Sequence, residues 1–548
     1  MRAHSSTETQ STLRALASFA AKLGPRLTDV YPGAWADLTP EKAACVMAET
    51  GEVITYRELA VRSHRLAHYF RSIGLARGDH VAVVLENHPR FFEVCWAAQI
   101  CGLYWTPVNW HLTPAEMEYI VADCGARLVI TSSTFVRLVS EFIANVPTLD
   151  GGIVVDGSAD GFATYDDVVQ GMPTSLIPDA SEGMDMTYSS GTTGKPKGAI
   201  RPLPELRPTD HEPEWTRFQE LVGIGSDSVY LSPGAPLYHA APLRWAASVH
   251  RLGGTVVIME RFDALGALQA IERYRVTHSQ WVPTMFVRML RLSPEDRSRY
   301  DLSTHNMAIH AAAPCPVSVK QEMLEWWGPI IHEYWGSSEG GGLSYITPQE
   351  WLDHPGSVGK VVVGTAHILG DDGETLPPGE PGVIFIEDGI PIAYHNDGAK
   401  TAAAHDQRGW STVGDVGYLD ADGYLYLTDR RDHMIIAGGV NIYPQEAEEV
   451  LIRHPAVADV AVIGVPNAEY GEEVKAVVQI SDAGRAGVDL ERELIDFCRS
   501  SLSAYKCPRS VDFVEELPRA PSGKLYKRRL RDRYWAEVPQ SLVPEPFA

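Results

Sequence analysis

The chain has 548 residues, 45% apolar and 22% charged, with a formal net charge of −24. That length exceeds one ordinary hydrophobic core, so two or more domains are expected, and the composition is that of a soluble globular protein. The acidic balance argues against general binding to nucleic acid or anionic lipid, and any site for an anion must be positive against it. Seven cysteines with no CxxC spacing suit no closed disulfide set and read as reduced thiols in a cytoplasmic protein. No apolar run approaches bilayer length, so no stable membrane insertion is expected. Residues 1–26 lack the apolar core of a secretory signal, and the amphipathic, basic RALASFAAKLGPRL reads as a first helix packed on the domain, with an organelle-targeting segment as the alternative.

In chain order, HVAVVLENHPRFFEVCWAAQICG predicts a strand over 80–85, a turn and a helix. The helical pattern PAEMEYIVADCG is followed by a strand, RLVITS, over 127–132, and GTVVIME with ALGALQAIERYR repeats the arrangement. Strand–helix alternation implies an α/β fold of parallel sheets with helices on their faces. Beyond residue 365 the paired turns DDG and PPGEPG, and then LDADGYLYL, predict a small antiparallel β region closing the large domain. The polar stretch DRRDHMI marks a boundary, giving an N-terminal domain 1–430 and a C-terminal domain 431–548. The latter reads as compact α+β from PQEAEEVLIRHP, VADVAVIGVP, VKAVVQI, LERELIDFCRSSL and SVDFVEELP.

The densest chemical signal is SSGTTGKPKG at 189–198. Ser189, Ser190, Gly191, Thr192, Thr193, Gly194 and Lys195 leave backbone N–H groups, hydroxyls and ammonium charge outward, which suits a polyphosphate. It is not a Walker A loop, since Lys195 is followed by Pro196 where that motif needs a serine or threonine entering a helix. A solvated surface turn is the plainer alternative. Further on, PLYHAAP sets Tyr238 and His239 between prolines. EYWGSSEGGG runs through Glu333, Tyr334, Trp335, Gly336, Ser337, Ser338, the lone acid Glu339, and Gly340. STVGDVGYLD carries Asp415 in a glycine-flanked turn, and LPRAPSGKLYKRRLRDR puts Lys524 after a Pro-Ser-Gly turn. Singly, His239 reads equally as a hydrogen-bonded core histidine, the aromatic pair as packing and Asp415 as a turn cap. Together they supply a phosphate loop, a flat ring, a carboxylate for ribose hydroxyls and another for a metal.

The order of these motifs resembles the adenylate-forming superfamily of acyl-CoA synthetases, luciferases and peptide-synthetase adenylation domains, from about residue 40 to 533. SSGTTGKPKG is similar to that family's phosphate loop. WGSSE is similar to its aromatic–Gly–x–Thr–Glu motif, with Trp335 at the usual tyrosine and Ser338 at the usual threonine. The match continues with GDVGYLDADGYLYLTDRRDHMI, at Asp415, Arg430 and the hinge Asp432, and with GGVNIYPQEAEEVL and PSGK of the mobile C-terminal domain. The resemblance implies that a carboxylic acid attacks the α-phosphate of ATP, giving acyl-adenylate and pyrophosphate, and that coenzyme A then displaces AMP. It implies Mg²⁺ near Glu339 and a catalytic Lys524. Asp415 and Arg430 would hold the ribose. Trp335 would stack on adenine, opposite Ala312, Ala313 and Pro314. His239 would stand at the carboxylate end of the acyl pocket. Rotation about Asp432, eased by Gly438 and Gly439, would exchange Lys524 for a pantetheine tunnel. For the pocket itself, Trp281 is expected to shape it and Gly340 to Gly342 to leave room. His310 reads either as a partner for a polar group on the acid or as a structural histidine. The expected acid is medium-chain, aromatic or alicyclic. Three other readings stand beside the ligase: an amide synthetase passing the acyl group to an amine, a luciferase-like oxidation of the adenylate, and a nucleotide-binding protein without catalysis.

Overall fold

The computed structural model describes residues 30–189, 195–210, 213–430, 433–437, 440–467, 470–481, 483–519 and 525–536. The helix expected in RALASFAAKLGPRL lies outside them. Two large sheets organise the N-terminal part. One has six strands, all parallel, in the order Ala163–Thr164, Gly151–Val154, Ala126–Thr131, His80–Val84, Tyr104–Pro107, Met184–Asp185. The other has nine, in the order Lys360–Val363, Leu343–Ile346, Ile331–Gly336, Met307–His310, His278–Trp281, Val229–Ser232, Thr255–Ile258, Ala43–Met47, Val53–Thr55. Its middle is parallel, as alternation predicts, but antiparallel strands close both edges. The reason is connectivity: Ile331–Gly336 and Leu343–Ile346 are joined by six residues, too few for a parallel crossover.

The helices between strands start where local chemistry directs. Thr55 and Glu58 form a capping box for Tyr56–Ser72, and Thr113 with Glu116 does the same for Pro114–Asp123, whose first residue is proline. Asp263 accepts from Gly266 N to open Ala264–Tyr274. The strands they connect are buried on both faces, as parallel strands between helical layers must be.

The antiparallel region expected beyond residue 365 is a four-stranded sheet of Thr365–Leu369, Gly382–Glu387, Asp415–Leu419 and Leu425–Arg430. A five-stranded sheet follows, built from Val440–Ile442, Ile435–Ala437, Gly471–Ile480, Val457–Asn467 and Ser510–Val514, with helices Pro444–Leu451 and Val488–Arg499 packed through a separate core. All seven cysteines are described and none is in a disulfide. Among the described residues no helix is long and apolar enough to cross a membrane.

Candidate active site

A cleft of about 1930 Å³ runs between the two large sheets, lined by Phe92 and Trp96 from one side and by Tyr238, His239, Gln280 and Tyr334 from the other. Its volume exceeds the 300–1,000 Å³ of an ordinary single-ligand pocket, so it can hold two substrates side by side. Ala312, Gly336, Ser337, Ser338, Glu339 and Gly340 also line it, as does Tyr526 from the C-terminal part.

The phosphate-loop motif sits on a hairpin. Thr187–Ser189 and Lys197–Ala199 pair antiparallel with Ser189 opposite Lys197, and Lys197 Nζ is held by Asp397 Oδ2 at 2.9 Å. Lys195 places its Nζ 4.6 Å from the Tyr119 ring centroid. Ser190, Gly191, Thr192, Thr193 and Gly194, expected to cradle phosphate, lie outside the described residues, as do Asp432, Gly438, Gly439 and Lys524. Nothing is said of the Ser189 and Arg430 side chains, but Arg430 stands directly across the sheet from Asp415, so their backbones share one rung.

His239 is the residue before helix Ala240–Arg251, in extended backbone, and its ring lies 4.6 Å from that of Tyr238. Tyr238 is buried and its hydroxyl meets His111 Nδ1 at 3.1 Å. The helix start, with Ala240 and Ala241 on the cleft wall, presents backbone N–H groups and the positive end of its dipole there, a suitable place for a carboxylate. On the same helix Arg244 forks onto Asp185, with Nη2 to Oδ2 at 2.8 Å, and both line the cleft. Burial pushes the Asp185 carboxyl up, but the Arg244 and Arg201 guanidiniums outweigh it and hold the group below its ordinary range.

Glu339 is half-buried on the cleft wall and accepts from Ser338 Oγ at 2.9 Å. A carboxylate there, open to the cleft, is the hard oxygen donor that Mg²⁺ takes, with bound phosphate supplying further oxygens. The loop carrying it is pinned by Gly341, which exchanges two backbone hydrogen bonds with Ile390 at 2.7 and 2.8 Å. Gly340 has φ +127°, and a Cβ there would stand 2.9 Å from Ile390 O and 3.0 Å from Pro391 O. These glycines therefore serve the close approach of two backbones. Gly340 and Gly342 also line the cleft, where the sequence placed them.

Several residues stand elsewhere than the sequence suggested. Successive strand residues face opposite sides, and parallel register sets Trp281, His310 and Glu333 in one row; Trp281 borders the cleft as expected, while its indole packs behind the strand. Trp281 packs against Phe286 and Trp327 with Nε1 donating to Ser279 Oγ at 2.6 Å. His310 is fully buried. Glu333, expected at the nucleotide, is paired behind the sheet with Lys320 Nζ at 2.6 Å and lies 3.3 Å from His310 Nε2. Burial raises the Glu333 carboxyl against the pull of Lys320, and burial pushes His310 well down. Of the adjacent rings, Tyr334 faces the cleft. Trp335, expected to stack on adenine, is buried among Ile384, Ile386 and Leu425 with Nε1 on Asp415 Oδ2 at 2.8 Å. Ala312 adopts φ +74°, strained for a residue with a Cβ, while Ala313 is half-buried and Pro314 exposed beside it.

Gln280, Arg244, Asp185 and Trp215 went unremarked in the sequence. Gln280 was one residue from Trp281, and only the phase of the strand distinguishes them. Trp215 lies on helix Glu214–Leu221, which has no flanking strand motif to announce it.

The sequence matches the profile of the AMP-binding enzyme family over residues 33–389 and that of the AMP-binding enzyme C-terminal domain over 446–524. The chain belongs to the AMP-binding enzyme family, the adenylate-forming enzymes. It is 34% identical over 511 residues to a feruloyl-CoA synthase of an Amycolatopsis species, covering 92% of this chain and 99% of the relative. It is 29% identical to a long-chain-fatty-acid–CoA ligase of Mycobacterium tuberculosis, covering 92% and 98%. Among solved structures, the anthranilate CoA ligase AuaEII in complex with anthranoyl-AMP superposes with a TM-score of 0.79 at 25% identity, over 95% of this chain and 100% of that one.

Proposed function

We propose that the protein is an ATP-dependent carboxylic acid–CoA ligase, an acid–thiol ligase that forms an acyl-adenylate and pyrophosphate and then transfers the acyl group to coenzyme A. The observation that carries this reading is the convergence of His239, Glu339 and Tyr526 on one cleft large enough for a nucleotide and an acid. Similarity to acyl-CoA ligases over nine-tenths of the chain supports it.

The chemistry explains the parts. A free carboxylate is a poor acyl donor because its leaving group would be oxide, and adenylation replaces that with AMP. The attack drives one anion onto another, so neutralising charge is the main task. The acid's carboxylate would sit at the start of Ala240–Arg251 beside His239. The phosphate loop from Ser190 to Lys195 would hold the β- and γ-phosphates. Asp415 and Arg430 would take the ribose and the backbone at Ala312, Ala313 and Pro314 the adenine. Glu339 would hold Mg²⁺, which when bound supplies positive charge to the phosphate oxygens. Lys524 would neutralise the attacking carboxylate and ribose–phosphate oxygens, and Tyr526, two residues on, already lines the cleft. The domain boundary after Arg430, with Asp432 as hinge and Gly438 and Gly439 beside it, would let the C-terminal domain turn between steps. The seven unpaired thiols suit a cytoplasmic setting.

The test is Lys524→Ala. The variant should lose acid-dependent pyrophosphate release while still making thioester from preformed acyl-adenylate. Normal pyrophosphate release would remove the lysine from the first step. In the wild type, adenylate formed without thioester would move the acceptor from coenzyme A to an amine.

A further inference from the structure

We propose that Arg291 is a positioning residue for the adenylation step: it docks the C-terminal domain on the N-terminal one in the arrangement that brings Lys524 to the cleft. The inference rests on the ligase reading and adds to it what holds the first-step arrangement together.

Arg291 stands at the C-terminal end of helix Pro283–Leu290. Met285, Phe286 and Met289 bury one face of that helix, while Arg288 and Arg291, three residues apart, are exposed. From there Arg291 crosses between the domains. Its Nη2 donates to Ala458 O at 2.5 Å and to Val457 O at 3.3 Å, at the start of strand Val457–Asn467.

A fault in the strand pairing offers that carbonyl. Val457 opposes Ile480 and Asp459 opposes Gln479, so Ala458 is the extra residue of a β-bulge and stands outside the ladder. A backbone acceptor left over by one domain is thus met by a cation from the other. Burial lowers Arg291, and the neighbouring Asp459 carboxylate acts against it.

The same bulge leads to the lysine segment. Asp459 accepts from Arg519 Nε and, at 2.7 Å, from Arg519 Nη2. Arg519 forms a backbone bridge to Leu525, and Tyr526 N donates to Pro518 O at 2.8 Å. The residues on either side of Lys524 are therefore tied to the bulge that Arg291 holds, and Tyr526 reaches the cleft wall. The Arg291 contact is open to solvent, so water can take the place of each partner. A contact of that kind would release the domain for the second step, where a buried apolar interface would not.

The experiment measures the two half-reactions separately. The first is pyrophosphate release with whichever of benzoic, cinnamic, cyclohexanecarboxylic and decanoic acids serves the wild type best. The second is thioester formation from the synthetic adenylate of that acid and coenzyme A. Arg291→Ala should lower kcat of the first by about tenfold or more, the loss expected for a hydrogen bond from a charged group, with the KM for ATP little changed. The second should be unchanged or faster. Arg291→Lys, which keeps a charged donor, should recover part of the loss, and the unfolding midpoint of both variants should match the wild type. Equal losses in the two half-reactions, or no loss in the first, would overturn the inference and leave the ligase reading intact. No pyrophosphate with any of the four acids, from wild-type protein that binds ATP, would overturn the ligase reading and this inference with it.

Discussion

Trp335 donates its indole Nε1–H to Asp415 Oδ2 at 2.8 Å, tying the aromatic motif at the end of one sheet to the first residue of a strand in another. Both side chains are buried, and Trp335 packs on the four-stranded sheet that carries Asp415 and Arg430. The bond orients the carboxylate that is proposed to take the ribose, so it would couple the sheet junction to nucleotide affinity.

Trp335→Phe keeps the packing and deletes the donor. A hydrogen bond to a carboxylate contributes about 1.5–3 kcal/mol, and this one should appear both as a lowered unfolding midpoint and as a raised KM for ATP. The KM for the acid should change far less. Calorimetry and pyrophosphate-release kinetics check the two halves. An unchanged ATP KM would reduce the contact to packing alone.

The same pair marks what the sequence could and could not disclose. EYWGSSEGGG identified the segment, but not which of Tyr334 and Trp335 faces the cleft. In a strand buried on one face the hydrophobic pattern reveals the phase, whereas His278–Trp281 and Met307–His310 are buried on both. Gln280, which lines the cleft beside Trp281, therefore went unremarked, and His310 remained open between two roles. Glu333 seemed a cleft residue because its partner, Lys320, arrives from a helix through tertiary packing that no local pattern encodes. Legible features were those with short-range causes: alternating strands and helices, and the paired turns beyond residue 365.

The buried pair Lys320–Glu333 carries a second prediction. Lys320 is fully buried, its Nζ 2.6 Å from Glu333 Oε2 and 4.9 Å from the centroid of the Trp351 ring. Lys320→Met leaves the glutamate buried without its cation, a change that costs about 3–5 kcal/mol. Adding Glu333→Gln should recover much of that loss, so the double variant should be more stable than Lys320→Met. The sign with pH follows. A carboxyl raised in the fold is destabilising when ionised and is relieved as pH falls through its folded value. Lys320→Met should therefore gain stability relative to wild type on mild acidification. A double variant no better than the single one would show that charge burial is not the cause.

The last prediction concerns acid stability of the whole fold. Burial lowers His250, His278 and His332 to about 4 and His305 to about 3, with His310 pushed down as well. His250 shows why. Its Nε2 donates to Ala44 O at 3.0 Å and its Nδ1 accepts from Trp96 Nε1 at 3.3 Å, so a second proton would point at an N–H. The unfolded chain binds protons at these imidazoles below about 6.5, and the folded chain does not until near 4. Within that window the unfolded state holds more protons, and stability falls with pH by up to about 1.4 kcal/mol per unit for each such histidine. Glu49, Glu333 and Glu449, whose carboxyls burial raises, work in the opposite direction, but His64, His80 and His111 are lowered too, so the histidines outnumber them. The unfolding midpoint should be level above pH 7 and drop steeply from pH 6.5 to 5. His278→Gln should make that slope shallower by the share of one proton. A midpoint flat from pH 7.5 to 5 would mean that the folded protein takes up these protons as readily as the unfolded chain.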